Sequence, residues 1–166
     1  CTSSGGAIRI STGSATIQDS TIGNASDTNT SSYGAAIYAA YLTSALTINN
    51  VSFNNNASTS TGGAIYLVSN DNHAATITNS SFTDNSAPDG GAITISGSDA
   101  TTTITNSDFP SNTASDDGGA LYLYNTAPVS ITGGTWSNNT ATNDGGAIHA
   151  NDQTYDGTTI TISGST

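Results

Sequence analysis

The chain repeats itself, and the repeat leaves few folds open. Gly-Gly-Ala-Ile or a near copy begins at Gly5, Gly34, Gly62, Gly90, Gly118 and Gly145, at spacings of 29, 28, 28, 28 and 27 residues. The second copy reads Gly34-Ala35-Ala36-Ile37, and the fifth ends in Leu121. A second block interleaves with the first. It is a Thr-rich strand, then an aromatic (Phe53, Phe82, Phe109 or Trp136), and three residues later Asn56, Asn85, Asn112 or Asn139. In the first copy Ile22 holds the aromatic slot and the Asn is out of register. A fixed period in this range marks a solenoid, whose units bury their apolar faces only against their neighbours.

Within each unit the apolar residues alternate at the strand period of two. In the first strand the inward pairs run from Ile8/Ile10 through Ile65/Leu67 and Ile93/Ile95 to Ile148/Ala150. In the second they run from Ala15/Ile17 through Leu46/Ile48 and Ala75/Ile77 to Ile160/Ile162. Thr, Ser, Asn and Gly supply most of the remainder, and these residues suit strands and turns rather than helices. The expected fold is therefore all-β: a single domain over residues 1–166, a right-handed parallel β-helix of about six coils with 27–31 residues in each. Short parallel crossovers wind right-handed. Each coil offers two half-apolar strands and a third corner carrying the aromatic, and stacking about 4.8 Å apart turns the repeats into ladders. The Asn is expected to bond to its copies above and below. The paired glycines suit a turn that needs positive φ or close backbone approach.

The alternation of Gly-Gly-Ala-Ile with Phe53-Asn54-Asn55-Asn56, Phe82-Thr83-Asp84-Asn85 and Phe109-Pro110-Ser111-Asn112 resembles the repeats of the chlamydial polymorphic outer membrane proteins and related adhesin-like β-helix proteins; Trp136-Ser137-Asn138-Asn139 is a near match. The resemblance implies a non-enzymatic structural or adhesive protein, extracellular or at the cell surface, able to oligomerise. The family's C-terminal barrel is not recognisable in these residues.

Charge narrows the partners. One Arg and no Lys stand against 12 acidic residues, a formal charge of −11. Nucleic acid is an unsuitable partner for such a surface, and no apolar run reaches the roughly 20 residues of a membrane-spanning helix. β-Helices also house polysaccharide lyases and hydrolases, which need a base, a cation or paired carboxylates at the sugar. Here Glu is absent, Arg9 stands alone, and His73 and His149 fall in different coils. Asp116-Asp117 precede a glycine pair and read as turn formers. An enzyme is not expected, and neither is a cofactor.

Three surfaces remain as candidates. The outward column of the first strand is Arg9, Tyr38, Tyr66, Thr94, Tyr122 and His149. Its Tyr38, Tyr66 and Tyr122 are the expected binding residues for a cell-surface protein, a glycan or another copy. Asp89, Asp117 and Asp144 each precede a glycine pair, so stacking sets like charges in a column where weak Ca²⁺ binding would relieve repulsion. Thr76/Thr78 and Thr103/Thr105 form the best part of a Thr-x-Thr face, which resembles the ice-binding face of β-helical antifreeze proteins. Cys1 reads as a free thiol or a lipid-bearing end, and sequons occur at Asn24, Asn29, Asn50, Asn56, Asn79 and Asn138. No cap is recognisable at either end, which predicts head-to-tail stacking of copies or continuation into a longer β-helix.

Overall fold

The computed structural model describes residues 4–68, 73–97, 101–125, 128–151 and 159–166; Cys1 and the loop Ser69-Asn70-Asp71-Asn72 lie outside the described residues. Among the described residues all regular structure is β-strand, arranged as a parallel β-solenoid. The first sheet stacks Ile8–Ile10, Ile37–Ala39, Ile65–Val68, Ile93–Ser96, Leu121–Tyr124 and Ile148–Asn151 in chain order. The second stacks Ala15–Ile22, Leu46–Asn54, Ala75–Thr78, Thr102–Thr105, Val129–Thr132 and Ile160–Ser163. A third stacks Asn29–Tyr33, Asn56–Thr61, Ser86–Ala87, Thr113–Ala114 and Thr140–Ala141. The first sheet thus has six strands, the second has six stacked strands with Ser81–Thr83 also paired to Leu46–Asn54, and the third has five, so the chain makes about five full turns. What the sequence offers as a corner is a sheet in its own right.

Register follows the hydrophobic alternation. Ile65 lies against Ile37 and Ile93, and Ile93 against Leu121. Ile77 lies between Ile48 and Ile104. A slip of one residue would turn all of these side chains to solvent, so burial pins the register. The aromatics form one stack inside. Phe53, Phe82 and Phe109 are fully buried, with centroids 4.6 Å and 4.7 Å apart and planes within 9° and 2° of parallel. That spacing is the coil rise itself. Trp136 continues the stack 3.9 Å from Phe109.

Beside the aromatics runs the Asn ladder. Asn56 Nδ2 donates to Asn85 Oδ1 at 2.9 Å, Asn85 to Asn112 at 3.0 Å and Asn112 to Asn139 at 3.1 Å. Each Nδ2 also reaches a carbonyl one coil back: Asn85 to Phe53 O at 3.1 Å, Asn112 to Phe82 O at 2.7 Å. Each Oδ1 accepts a backbone N–H as well, such as Asn56 N–H on Asn85 Oδ1 at 3.0 Å. The buried amides are therefore satisfied by one another and by the bend they close. Asn29, out of register in the sequence, is in register here: it pairs with Asn56 and donates to its Oδ1 at 2.8 Å. The preceding loop absorbs the extra residues, with Asn24 Oδ1 accepting the N–H groups of Ser26 and Asp27.

At Gly6, Gly63, Gly91 and Gly119 the second glycine of the pair is there for space. A Cβ on Gly63 would sit 1.9 Å from Gly91 O, and one on Gly91 2.1 Å from Gly119 O. Where Ala35 occupies this position the bonding shifts: Ala35 N–H donates to Gly63 O, whereas Gly63 N–H donates to Gly90 O, the first glycine of its neighbour pair.

Candidate functional site

The first sheet's outer face carries the aromatic patch. Its column is in the expected register, Arg9 against Tyr38, Tyr38 against Tyr66, Tyr66 against Thr94 and Tyr122 against His149. Burial divides it, however. Tyr38 and Tyr66 are half-buried, whereas Thr94 and Tyr122 are buried, Tyr122 at 8% exposure. Tyr122 is therefore no exposed binding residue. The Thr94 hydroxyl turns back to donate to Asp89 O at 3.0 Å, and Tyr122 is covered by its neighbours, its hydroxyl accepting from Asn151 Nδ2 at 3.3 Å. The expected line of aromatics is two separate clusters.

The larger cluster recruits two residues from outside the column. Tyr33, at the end of a third-sheet strand, lies 5.5 Å from Tyr66, and Tyr38 lies 5.7 Å from Tyr66, both tilted. Tyr41 follows the strand Ile37–Ala39, is 61% exposed and has φ +54°, a left-handed conformation seldom adopted by an aromatic residue. These four tyrosines and Val68 line a cleft of about 290 Å³. The guanidinium of Arg9 sits 5.6 Å over the Tyr38 ring, within cation–π range. Burial pushes the Tyr66 phenol up and a hydrogen bond with Ser96 works against this; the neighbouring tyrosines add to the rise, and the group stays neutral at physiological pH. Tyr33 and Tyr41 carry no repeat signal. The only hint in the sequence is three tyrosines within nine residues, Tyr33, Tyr38 and Tyr41.

The acidic edge is built differently from a simple column of charges. Asp117 Oδ1 accepts the backbone N–H of Asp144 at 3.0 Å, and Asp89 accepts that of Asp117, so each carboxylate caps the next coil. Asp117, Asp144 and His149 offer ligand atoms within 4.8 Å of one another, and Asp89 is outside that group. His149 Nδ1 is 3.9 Å from Asp117 and its ring packs 5.5 Å from Tyr122. One imidazole with two carboxylates suits a zinc-like ion better than Ca²⁺, which takes six or more oxygens.

Asp89 itself is raised above the ordinary carboxylate value, chiefly by burial and then by the charge of Asp116; the Asp117 N–H opposes the rise. A carboxyl raised in the folded state binds its proton more tightly there than in the unfolded chain. Its ionisation therefore lowers stability as pH climbs through the raised value, and the penalty vanishes below the ordinary carboxylate range. Asp89→Asn keeps an acceptor for the Asp117 N–H and removes the charge. It is expected to raise Tm by about 2 °C at pH 7 and to leave it unchanged near pH 3. A lower Tm at pH 7 would contradict this account.

The Thr face of the second sheet is in register, Thr76 between Thr47 and Thr103, Thr78 between Asn49 and Thr105. Its hydroxyls are partly engaged within the sheet: Thr78 Oγ1 donates to Asn49 Oδ1 at 2.8 Å. Of the sequons, Asn56 is fully buried in the ladder, whereas Asn24, Asn50, Asn79 and Asn138 are exposed.

Three segments of the chain, residues 50–68, 79–96 and 137–151, match the family model described as the Chlamydia polymorphic membrane protein (Chlamydia_PMP) repeat. Residues 50–68 run from the aromatic Phe53 through the ladder residue Asn56 to the following Gly-Gly-Ala-Ile strand, so the match falls on the units that build the coil. These three segments are similar to that repeat, and each lies within the β-solenoid. No curated protein and no solved structure matches the chain. No helix among the described residues is long and apolar enough to cross a membrane.

Proposed function

We propose that the chain is a non-enzymatic adhesive module of an extracellular or cell-surface protein, and that its contact surface is the tyrosine cleft of the first sheet. The cleft is the observation that carries this reading. A rigid solenoid holds Tyr33, Tyr38, Tyr41 and Tyr66 together at its side, with an exposed aromatic at its rim. Tyrosine gives large contact area at low entropy cost and keeps a polar tip for hydrogen bonding, which is why it dominates adhesive hot spots. The family match supports the surface setting.

The test is attachment. Beads coated with the chain are applied to cell monolayers, and Tyr38→Ser/Tyr66→Ser is compared with the unmodified protein after circular dichroism has shown both to be folded. Attachment is expected to fall about tenfold, the effect of removing a hot-spot pair. Equal attachment by the two proteins would refute the cleft as the adhesive surface. If the partner is instead a second copy, the same variant loses a concentration-dependent dimer in sedimentation and attachment is unmoved.

A further inference from the structure

The chain has one Arg and no Lys, and the guanidinium of that Arg9 lies over Tyr38, one of the rings that line the aromatic cleft. Arg9 is exposed, its guanidinium lies over Tyr38, and among the described residues it has no carboxylate in ion-pair range. Nothing in the fold requires a cation there. Arg9 is an outward residue of a three-residue strand whose inward neighbours, Ile8 and Ile10, do the packing. The chain otherwise has a formal charge of −11, so its surface repels anions almost everywhere else. Along the first sheet the nearest part of the acidic edge is Asp89, three coils from Arg9. That is about 14 Å at the rise of a parallel sheet, well beyond the screening length of about 8 Å at physiological ionic strength. Arg9 is thus a cation without an ion-pair partner among the described residues, set over an aromatic ring.

The rest of the cleft says what shape of ligand fits. Its volume of about 290 Å³ lies at the small end for ligand sites and suits one ring rather than a peptide segment. Its lining is four tyrosines and one aliphatic side chain, Val68. A sugar ring offers apolar C–H faces to such rings and hydroxyls to their edges. Tyr41 is held at φ +54° at the rim, and strain in an exposed aromatic is what a binding position tolerates and a purely structural one discards.

We propose that this cleft binds a carboxylate-bearing sugar, a sialic or uronic acid, with the ring laid on Tyr38 and Tyr41 and the carboxylate paired to Arg9. An arginine fork matches a carboxylate in two parallel hydrogen bonds. Binding of one residue is weak, and an array of copies on a surface multiplies it. The inference rests on the adhesive reading of this face, and names its ligand.

The chain is titrated by calorimetry and saturation-transfer NMR with sialyllactose, with a glucuronate-terminated disaccharide, and with neutral lactose. The unmodified protein is expected to bind one of the two acidic sugars at roughly 1–10 mM, about tenfold tighter than lactose. The better of the two arms identifies the acid. Arg9→Gln is expected to bring that acidic sugar to the level of lactose. Tyr41→Asn places a residue that favours left-handed φ at the strained position, so it should melt at the same temperature or higher while losing about tenfold in affinity for the acidic sugar. Equal affinity for acidic and neutral sugars, no effect of Arg9→Gln, or no binding up to roughly 50 mM would each overturn the proposal. Absent sugar binding with attachment still sensitive to Tyr38→Ser/Tyr66→Ser leaves the adhesive face standing and removes only its ligand.

Discussion

Replacing Gly91 by alanine is expected to cost about 3 kcal/mol of stability, the upper part of the usual range for overpacking. The added methyl would lie 2.1 Å from Gly119 O and 2.7 Å from Thr113 O. Both are backbone atoms of the next coil, so no side-chain rotation relieves the clash. Relief requires the coils to part, and parting loosens the Phe82–Phe109 stack and the ladder beside it. Ala35 shows what accommodation looks like: its N–H bonds one residue further along the neighbouring coil than the glycines do. The internal control is Gly146→Ala. Among the described residues its methyl would meet only Asn139 O, at an unstrained 3.6 Å, so a change within about 0.5 kcal/mol is expected. Denaturant midpoints of the two variants measure this directly. Equal destabilisation by both would mean that backbone freedom, not close approach, explains the second glycine.

Asn85→Ala should be worse, at about 4 kcal/mol, because it removes a buried amide that bonds to groups of two neighbouring coils. Asn85 is fully buried, and its amide serves the Asn56 backbone N–H at 3.0 Å and Phe53 O at 3.1 Å. Each such group left unpaired costs about 1–3 kcal/mol, and the cavity adds to it. Asn56 Nδ2 keeps Ile22 O, and Asn112 Oδ1 keeps the Asn85 N–H, so those two groups retain a partner. At the ladder's edge Asn29 only donates, to Asn56 Oδ1, so Asn29→Ala is expected to cost about 1 kcal/mol. Thermal unfolding of both variants tests the contrast. If Asn29→Ala proves as costly as Asn85→Ala, the ladder acts as a cooperative unit and not as a sum of satisfied groups.

The inward strands were legible because a period of two with a buried face has only one register that keeps Ile65, Ile93 and Leu121 inside. The ladder was legible from the fixed distance between Phe and Asn. Its first member was not, since Asn29 follows Ile22 by seven residues and Phe53 precedes Asn56 by three; an exposed loop hid an unchanged core position. The third sheet escaped notice because strands such as Ser86–Ala87 are two residues long and carry no alternation. The cleft was half legible. Tyr38 and Tyr66 follow from strand alternation, but Tyr41 depends on a left-handed residue with no Gly or Asn to announce it. Tyr122 misled for the opposite reason: an outward position is not an exposed one when Asn151 and His149 pack around it.

The ladders join each coil only to the next, and this fixes how the chain can assemble. The hydrogen bonds between Asn56, Asn85, Asn112 and Asn139 span 29, 27 and 27 residues, so the loop closed by each added coil is nearly constant. Closing a loop of that size costs about 3 kcal/mol in chain entropy. The cost recurs with every turn but does not grow along the chain, unlike that of a globular fold whose ends must meet. Once two or three coils have formed, their open edge is a template on which the following coil is laid at the same entropic price. Such a rod can therefore be lengthened or shortened by whole repeats, through gene duplication or loss, without making its next turn any harder to fold.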